Sequence, residues 1–177
     1  MRVISKGYGV VVAMARNGTE FGIQLSGTGD RWFTAPCGVP VGLLFPGYTS
    51  DDANPDIGDS TITETAGLGG FAMAAAPAIV RFVGGQVADA TRATLDMYQI
   101  TVSEHPRYQL PTLDFRGTPV GIDAALVART GLLPAVNTGI AGRQAGTGQI
   151  GAGLVEPPLS CFLDAVDSLA SSLGEPM

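Results

Sequence analysis

The spacing of apolar positions divides the chain into short elements with abrupt boundaries. Residues 5–16, "SKGYGVVVAMAR", read as a helix with Ser5 as its N-cap and Asn17-Gly18 as its C-terminal stop. "FGIQLS", "RWFTAP" and "VGLLFP" have strand length, lie between turn residues and read as strands. "TAGLGGFAMAAAPAIVRFVGG" is apolar on nearly every side, which predicts a centrally buried helix, kinked at Pro77. "QVADATRATLDMYQI" is amphipathic, with Val87, Ala90, Thr91, Thr94, Leu95 and Tyr98 on one face. A Pro-rich polar connector then leads to "LDFRGTPVGID" and a short helix ending before Gly131. "LLPAVNTGIAG" and "GQIGAGLV" read as strand or loop. The last helix opens at Pro157-Pro158, aligns Leu159, Phe162, Leu163, Val166, Leu169, Ala170 and Leu173, and stops at Gly174. Strands early and late, helices between them and no regular βαβ alternation predict an α+β fold. With no internal repeat or composition break, residues 1–177 read as a single domain.

Composition narrows the function. Twenty-five Gly and 12 Pro among 45% apolar residues exclude disorder and predict tight loops between buried elements. A net charge of −6 leaves no basic face for a nucleic acid. The longest apolar run, residues 71–80, is too short for a bilayer span of about 20 residues. The apolar run near Met1 lacks a small-residue cleavage site, so a cytoplasmic protein is expected. Cys37 and Cys161 are then expected as reduced, packed thiols.

Acid is concentrated in one place. "DDANPDIGDSTITE", residues 51–64, holds five of the 16 Asp and Glu. Counted from Asp52, it resembles an EF-hand loop through Asn54 and Asp56, but Gly58 falls at position seven and Glu64 at thirteen. Pro55 and the strand-like segment upstream also disagree with that motif. The residues that follow, "STITETAGLGGF", offer Ser60, Thr63 and Thr65 as caps, and Gly67, Gly69 and Gly70 as amides that an anion can approach. The alternative is that these glycines serve packing. Glu64 beside an anion site is a tension that requires it to be protonated, turned away or holding a metal.

Three arginines lie in glycine-rich loops: Arg31, Arg116 and Arg143. A guanidinium offers a bidentate fork for carboxylate or phosphate; pairing with a local acid such as Asp30 or Asp114 is the other reading. "GTGQIG" satisfies G-x-G-x-x-G, yet no helix opens within it, so a turn beside a strand is expected. His105, the one histidine, reads as a surface residue. No zinc spacing and no nucleophile elbow are present.

Several longer stretches carry a resemblance. "ARNGTEFGI", "SGTGDRWFTAP", "FPGYTSDDANPDIGDSTITETAGLGGFAMAAAPAIVRFVGG", "LDFRGTPVGID" and "NTGIAGRQAGTGQIGAGLVEPPLSCF" resemble the YahG/YlbE-like family from about Ala15 onward. Its chains are more than twice this length, so the resemblance implies a C-terminal part. It also implies a subunit of an oxamate carbamoyltransferase, which converts oxalurate and phosphate to oxamate and carbamoyl phosphate. Expected partners are a succinyl-CoA synthetase-like protein and a third subunit, in an oligomer. For that chemistry, Arg116, Arg143 and Glu64 are the candidate catalytic residues. Ser60, Thr63, Thr65, Gly67, Gly69, Gly70, Asn137, Thr138 and Arg31 are the candidate contacts to a small anionic substrate, and Asp59 with Glu64 the candidate Mg²⁺ ligands. A non-catalytic scaffold subunit and a metal-dependent amide hydrolase are the alternatives.

Overall fold

The computed structural model describes residues 9–59, 61–76, 78 and 85–174. The fold is α+β. Among the described residues, eight strands form three small antiparallel sheets, and helices pack between and beside them.

Strands β1 (Val11–Arg16), β2 (Glu20–Leu25) and β3 (Phe33–Pro36) form the first sheet in that order. The helix expected over 5–16 is therefore corrected to a strand over its described part. Its Asn17-Gly18 stop is a hairpin turn. Asn17 Oδ1 accepts from the amides of Thr19 and Glu20 at 3.0 and 2.7 Å, and Gly18 takes φ +96°. Asn-Gly between apolar runs is a strong hairpin signal, and β-branched Val11 and Val12 suit a pleated surface.

Strand β4 (Val41–Leu44) pairs with β8 (Gln149–Val155), which pairs with β7 (Val136–Ala141), giving the second sheet, in the order β4-β8-β7. "GTGQIG" is the β7–β8 turn, as the missing helix start predicts. The third sheet joins β5 (Thr101–Leu110) to β6 (Arg116–Ile122). The expected polar connector is thus a long strand. Its exposed side chains hide the alternation, and its register shifts between Glu104 and Gln109. His105 lies on this strand, stacked on Tyr108 with centroids 4.1 Å apart.

The helices are α1 (Ile62–Thr65), α2 (Val87–Met97), α3 (Ala124–Thr130) and α4 (Leu159–Leu173). In place of one long apolar helix, α1 is followed by a 3₁₀ segment, Gly69–Ala75, with non-helical geometry at Ala72. Phe71, Met73 and Ala74 are buried there, as the pattern predicts. The Pro77 kink lies outside the described residues. Helix α2 buries Ala90, Thr94 and Met97 and leaves Val87 and Leu95 exposed, so its inner face is rotated from the expected stripe. Helix α4 keeps Phe162 and Leu169 inside but adds Cys161 and Ala165, while Leu163 and Leu173 face outward.

One main core gathers these parts. Phe21, Ile23 and Phe33 of the first sheet meet Phe162 and Leu169 of α4, Val127 of α3, and Val136 and Val155 of the second sheet. A smaller cluster of Ala53, Ile140 and Ile150 seats the acidic segment on the β7–β8 hairpin.

Candidate functional site

The acidic segment adopts an ordered conformation by bonding to its surroundings. Asn54 N–H donates to Ala141 C=O at 2.8 Å, and Arg143 N–H donates to Asp52 C=O at 2.7 Å. Within the segment, the Thr49 amide and hydroxyl both donate to Asp52 Oδ2, at 2.8 and 3.0 Å. These bonds, the amide's first, hold the Asp52 carboxyl below its ordinary 3.8. The backbone of the segment is therefore committed to the β7–β8 hairpin, and upstream of it lie strand β4 and a 3₁₀ turn at Ser50–Asp52 where an EF-hand requires a helix.

Asp56 serves a different purpose. Its Oδ1 accepts from Arg16 Nη1 at 2.8 Å, and the two side chains are 0% and 3% exposed. Arg16 Nη1 also donates to Thr138 Oγ1 at 2.9 Å, and Asp56 Oδ2 accepts from Gly58 N–H at 3.1 Å. The Cys37 thiol lies close enough to feel the same carboxylate. Burial first, then the negative charge of Asp56, pushes that thiol up to about 11. A strand end, an acidic loop and β7 are thereby tied by one buried ion pair. From the sequence, Thr138 stood as a substrate contact, Asp56 as an EF-hand-like loop position and Cys37 as a packed thiol, but Arg16 was not singled out; the available signal was a lone arginine closing an apolar strand.

Glu64 resolves the tension noted in its sequence context. It is 2% exposed. Its Oε1 accepts from the amides of Gly70 at 3.1 Å and Asn137 at 3.2 Å, and its Oε2 accepts from Thr63 Oγ1 at 2.7 Å. Of the amides expected to hold a substrate anion, that of Gly70 thus holds the protein's own carboxylate. Gly67 N–H is also taken, by Glu64 C=O at 3.0 Å. Gly69 adopts φ +59°, and a Cβ there would run into Glu64 Oε1. Thr63, Glu64, Gly69, Gly70 and Asn137 therefore converge, as a closed polar staple between α1, the 3₁₀ segment and β7. A phosphate or Mg²⁺ at this point requires Glu64 to give up three donors. Thr65 bonds back to Ile62 C=O at 2.9 Å, and Asp59 C=O receives Arg16 N–H at 2.9 Å. Ser60 lies outside the described residues.

The three loop arginines go to different places. Arg116 forks onto Glu104, at 2.6 and 3.1 Å, and stacks over the Tyr98 ring at 3.9 Å; its partner is therefore Glu104 rather than Asp114. Arg31 donates to Ser168 Oγ at 2.8 Å and lies over Phe33 at 4.9 Å. Among the described residues, the Arg143 side chain donates to Ala53 C=O at 3.4 Å, lies where its charge acts on Asp52, and lines a cavity of about 130 Å³. Tyr48, Asp51, Asp52, Gln144 and Thr147 complete that cavity. Of the residues singled out from sequence, Arg143 has the least committed charged group. Its cavity combines a cation, hydroxyls, an amide and two carboxylates. Among the described residues, no three His, Cys, Asp or Glu side chains converge as a metal cage.

Comparison with known proteins sets this geometry in context. The family model described as oxamate carbamoyltransferase subunit AllG matches residues 3–60. The chain is 51% identical over 166 residues to the oxamate carbamoyltransferase subunit AllG of Escherichia coli K12, covering 93% of this chain and 40% of that one. It is 51% identical over 157 residues to the uncharacterized protein YahG of the same organism, covering 89% of this chain and 33% of that one. The crystal structure of a conserved protein of unknown function from Enterococcus faecalis V583 superimposes with a TM-score of 0.89 at 52% identity. That match covers 92% of this chain and 39% of the other. The chain thus spans no more than about two fifths of the relatives it matches. About half of the aligned residues are identical to those of AllG and YahG across some nine-tenths of its length, and over that stretch the chain belongs to the AllG/YahG-like family.

Proposed function

We propose that this chain works in an oxamate carbamoyltransferase-like assembly, as a subunit or part of one, and binds a small anion at Arg143. The observation carrying the assembly is the 51% identity to AllG over 93% of the chain. The anion reading is supported by a guanidinium lining a small cavity with little else to bond. In the reaction, a phosphate oxygen attacks the carbamoyl carbon of oxalurate. The C–N bond then breaks, the oxamate nitrogen takes a proton, and carbamoyl phosphate remains. Arg143 would hold the phosphate or the substrate carboxylate, with Tyr48, Gln144 and Thr147 supplying hydrogen bonds. Mg²⁺ would neutralise phosphate charge, and Asp51 and Asp52 are the carboxylates placed to hold it there with water and phosphate oxygens. Partner subunits, among them a succinyl-CoA synthetase-like protein, would supply the rest of the chemistry in the cytoplasm.

A second reading, a non-catalytic scaffold, is favoured by the closure of Glu64 on its amides and of Arg116 on Glu104. Thermal unfolding with carbamoyl phosphate, with and without Mg²⁺, separates the two. A ligand at a hundred times its Kd adds about 2.7 kcal/mol, roughly 5–10 °C for a chain of this size. A saturable rise that disappears in Arg143→Gln supports the anion site. A flat response from the folded protein moves the chemistry to other chains.

A further inference from the structure

We infer that the free edge of β3, together with α4, forms a groove for an extended, basic strand of a partner polypeptide. Strand β3 is an outer strand of its sheet. Its register with β2 pairs Ala35 with Phe21 and Thr34 with Gly22, and Cys37 N–H donates to Thr19 C=O at 2.9 Å. In an antiparallel ladder the bonded pairs alternate, so residues 37, 35 and 33 face β2. Thr34 therefore turns its N–H and C=O away from the sheet, as does Trp32 one step earlier. Pro36, which has no N–H, occupies the next outward position, where proline is tolerated, and closes that end.

This edge borders a wide, open cleft of about 700 Å³. One wall is Arg31–Thr34 and the other is the polar side of α4, with Asp164, Asp167 and Ser168. A strand edge beside a helix is the geometry of β-strand addition, in which ladder bonds give affinity and flanking side chains give selectivity. Two carboxylates face it against one guanidinium, and Arg31 is already drawn to Ser168 and the Phe33 ring. The charge favours lysine or arginine in the incoming strand. It disfavours a second copy, because isologous β3–β3 pairing would bring the same acids together in a chain of net charge −6. The cleft shares no lining residue with the Arg143 cavity, so the two proposals stand or fall separately.

Trp32 is the sole tryptophan and reports directly from the groove. The probe is a blocked hexapeptide, Lys-Val-Lys-Val-Lys-Val, titrated into the full chain at low salt while tryptophan emission is followed. A saturable change is expected. It should weaken more than tenfold when alternate peptide nitrogens are methylated, which keeps the charge and removes the ladder. Asp164→Asn/Asp167→Asn should weaken it roughly three- to tenfold, as befits two exposed charges. The acidic counterpart, Glu-Val repeated, should not bind. Equal binding of the methylated or acidic peptide, or no binding of the basic one, overturns the proposal. So does a concentration-dependent dimer by light scattering that Thr34→Pro abolishes, since that makes a second copy the occupant.

Discussion

Replacing Asp56 by alanine strands a guanidinium in the core. Arg16 would keep the Thr138 hydroxyl at 2.9 Å, but its countercharge at 2.8 Å would be gone and its side chain is only 3% exposed. Removing one member of a buried pair costs about 3–5 kcal/mol, because the remaining charge cannot return to water. Gly58 N–H also loses its acceptor on Asp56, adding about 1 kcal/mol. Together these lower Tm by roughly 8–24 °C for a domain of this size. Asp56→Asn keeps an acceptor and should fall between the parent and Asp56→Ala. The double variant Arg16→Met/Asp56→Leu removes both charges and should recover more than half of the loss. Urea unfolding followed by circular dichroism measures all four proteins under one protocol. A loss below about 1 kcal/mol in Asp56→Ala, or a double variant no better than the singles, would refute the claim that this pair locks β1 to the acidic loop.

Arg116→Ala provides the contrasting case. Its ion pair with Glu104 is 45% and 42% exposed, so stability should change little despite the 2.6 Å distance, and a Tm drop comparable to that of Asp56→Ala would contradict this. Gly69→Ala should destabilise by at least about 1–2 kcal/mol, from the left-handed backbone strain alone. The new methyl also meets the Glu64 carboxylate, and an unchanged unfolding midpoint would mean the staple is looser than described. The thiols give a pH dependence. Burial first, then Asp56, raises Cys37 from 9.0 to about 11; burial first, then Asp164, raises Cys161 to about 11. The fold holds these protons more tightly than the unfolded chain, so their contribution is complete below pH 9 and is lost as pH rises from 9 towards 11. Ellman's reagent at pH 8 should react slowly with the native protein and quickly in denaturant; fast native labelling of Cys37 would contradict the burial.

What could be read from the chain was what local periodicity encodes. Strands β2, β3, β4, β7 and β8 and helix α4 all have apolar runs bounded by Gly, Pro or Asn within a few residues, and each appears where expected. The failures have non-local causes. In β1 an apolar run fits either a helix or a strand, and only pairing with β2 across Asn17-Gly18 decides it. In β5 nearly every side chain is exposed, so no alternation is visible, and the partner that makes it a strand is β6. In α2 the helix was legible but its phase was not: Ala90 and Thr94 lie inside as expected, with Thr94 Oγ1 accepting from Ala74 N–H at 3.0 Å, but Met97 takes the inner place expected of Val87 and Leu95.

The candidate site divides along the same line. Arg16 lies 40 residues from Asp56 and 122 from Thr138, so no spacing rule connects them. Glu64 is more instructive, because the sequence offered an anion near Gly69 and Gly70 as one reading and packing as the other. It did not show that the anion was already present. Main-chain amides that face inward must be satisfied, and a carboxylate from the preceding turn satisfies two of them without a ligand. The clustered acids then have separate explanations: Glu64 for buried amides, Asp56 for a buried guanidinium, Asp52 for the turn at Thr49. Asp51 and the outer side of Asp52 are left at the Arg143 cavity, and there an external anion or cation has the least to displace. For that reason Arg143→Gln, rather than a change at Glu64, distinguishes binding from folding: its side chain holds only one long bond to Ala53, whereas Glu64 is part of the fold itself.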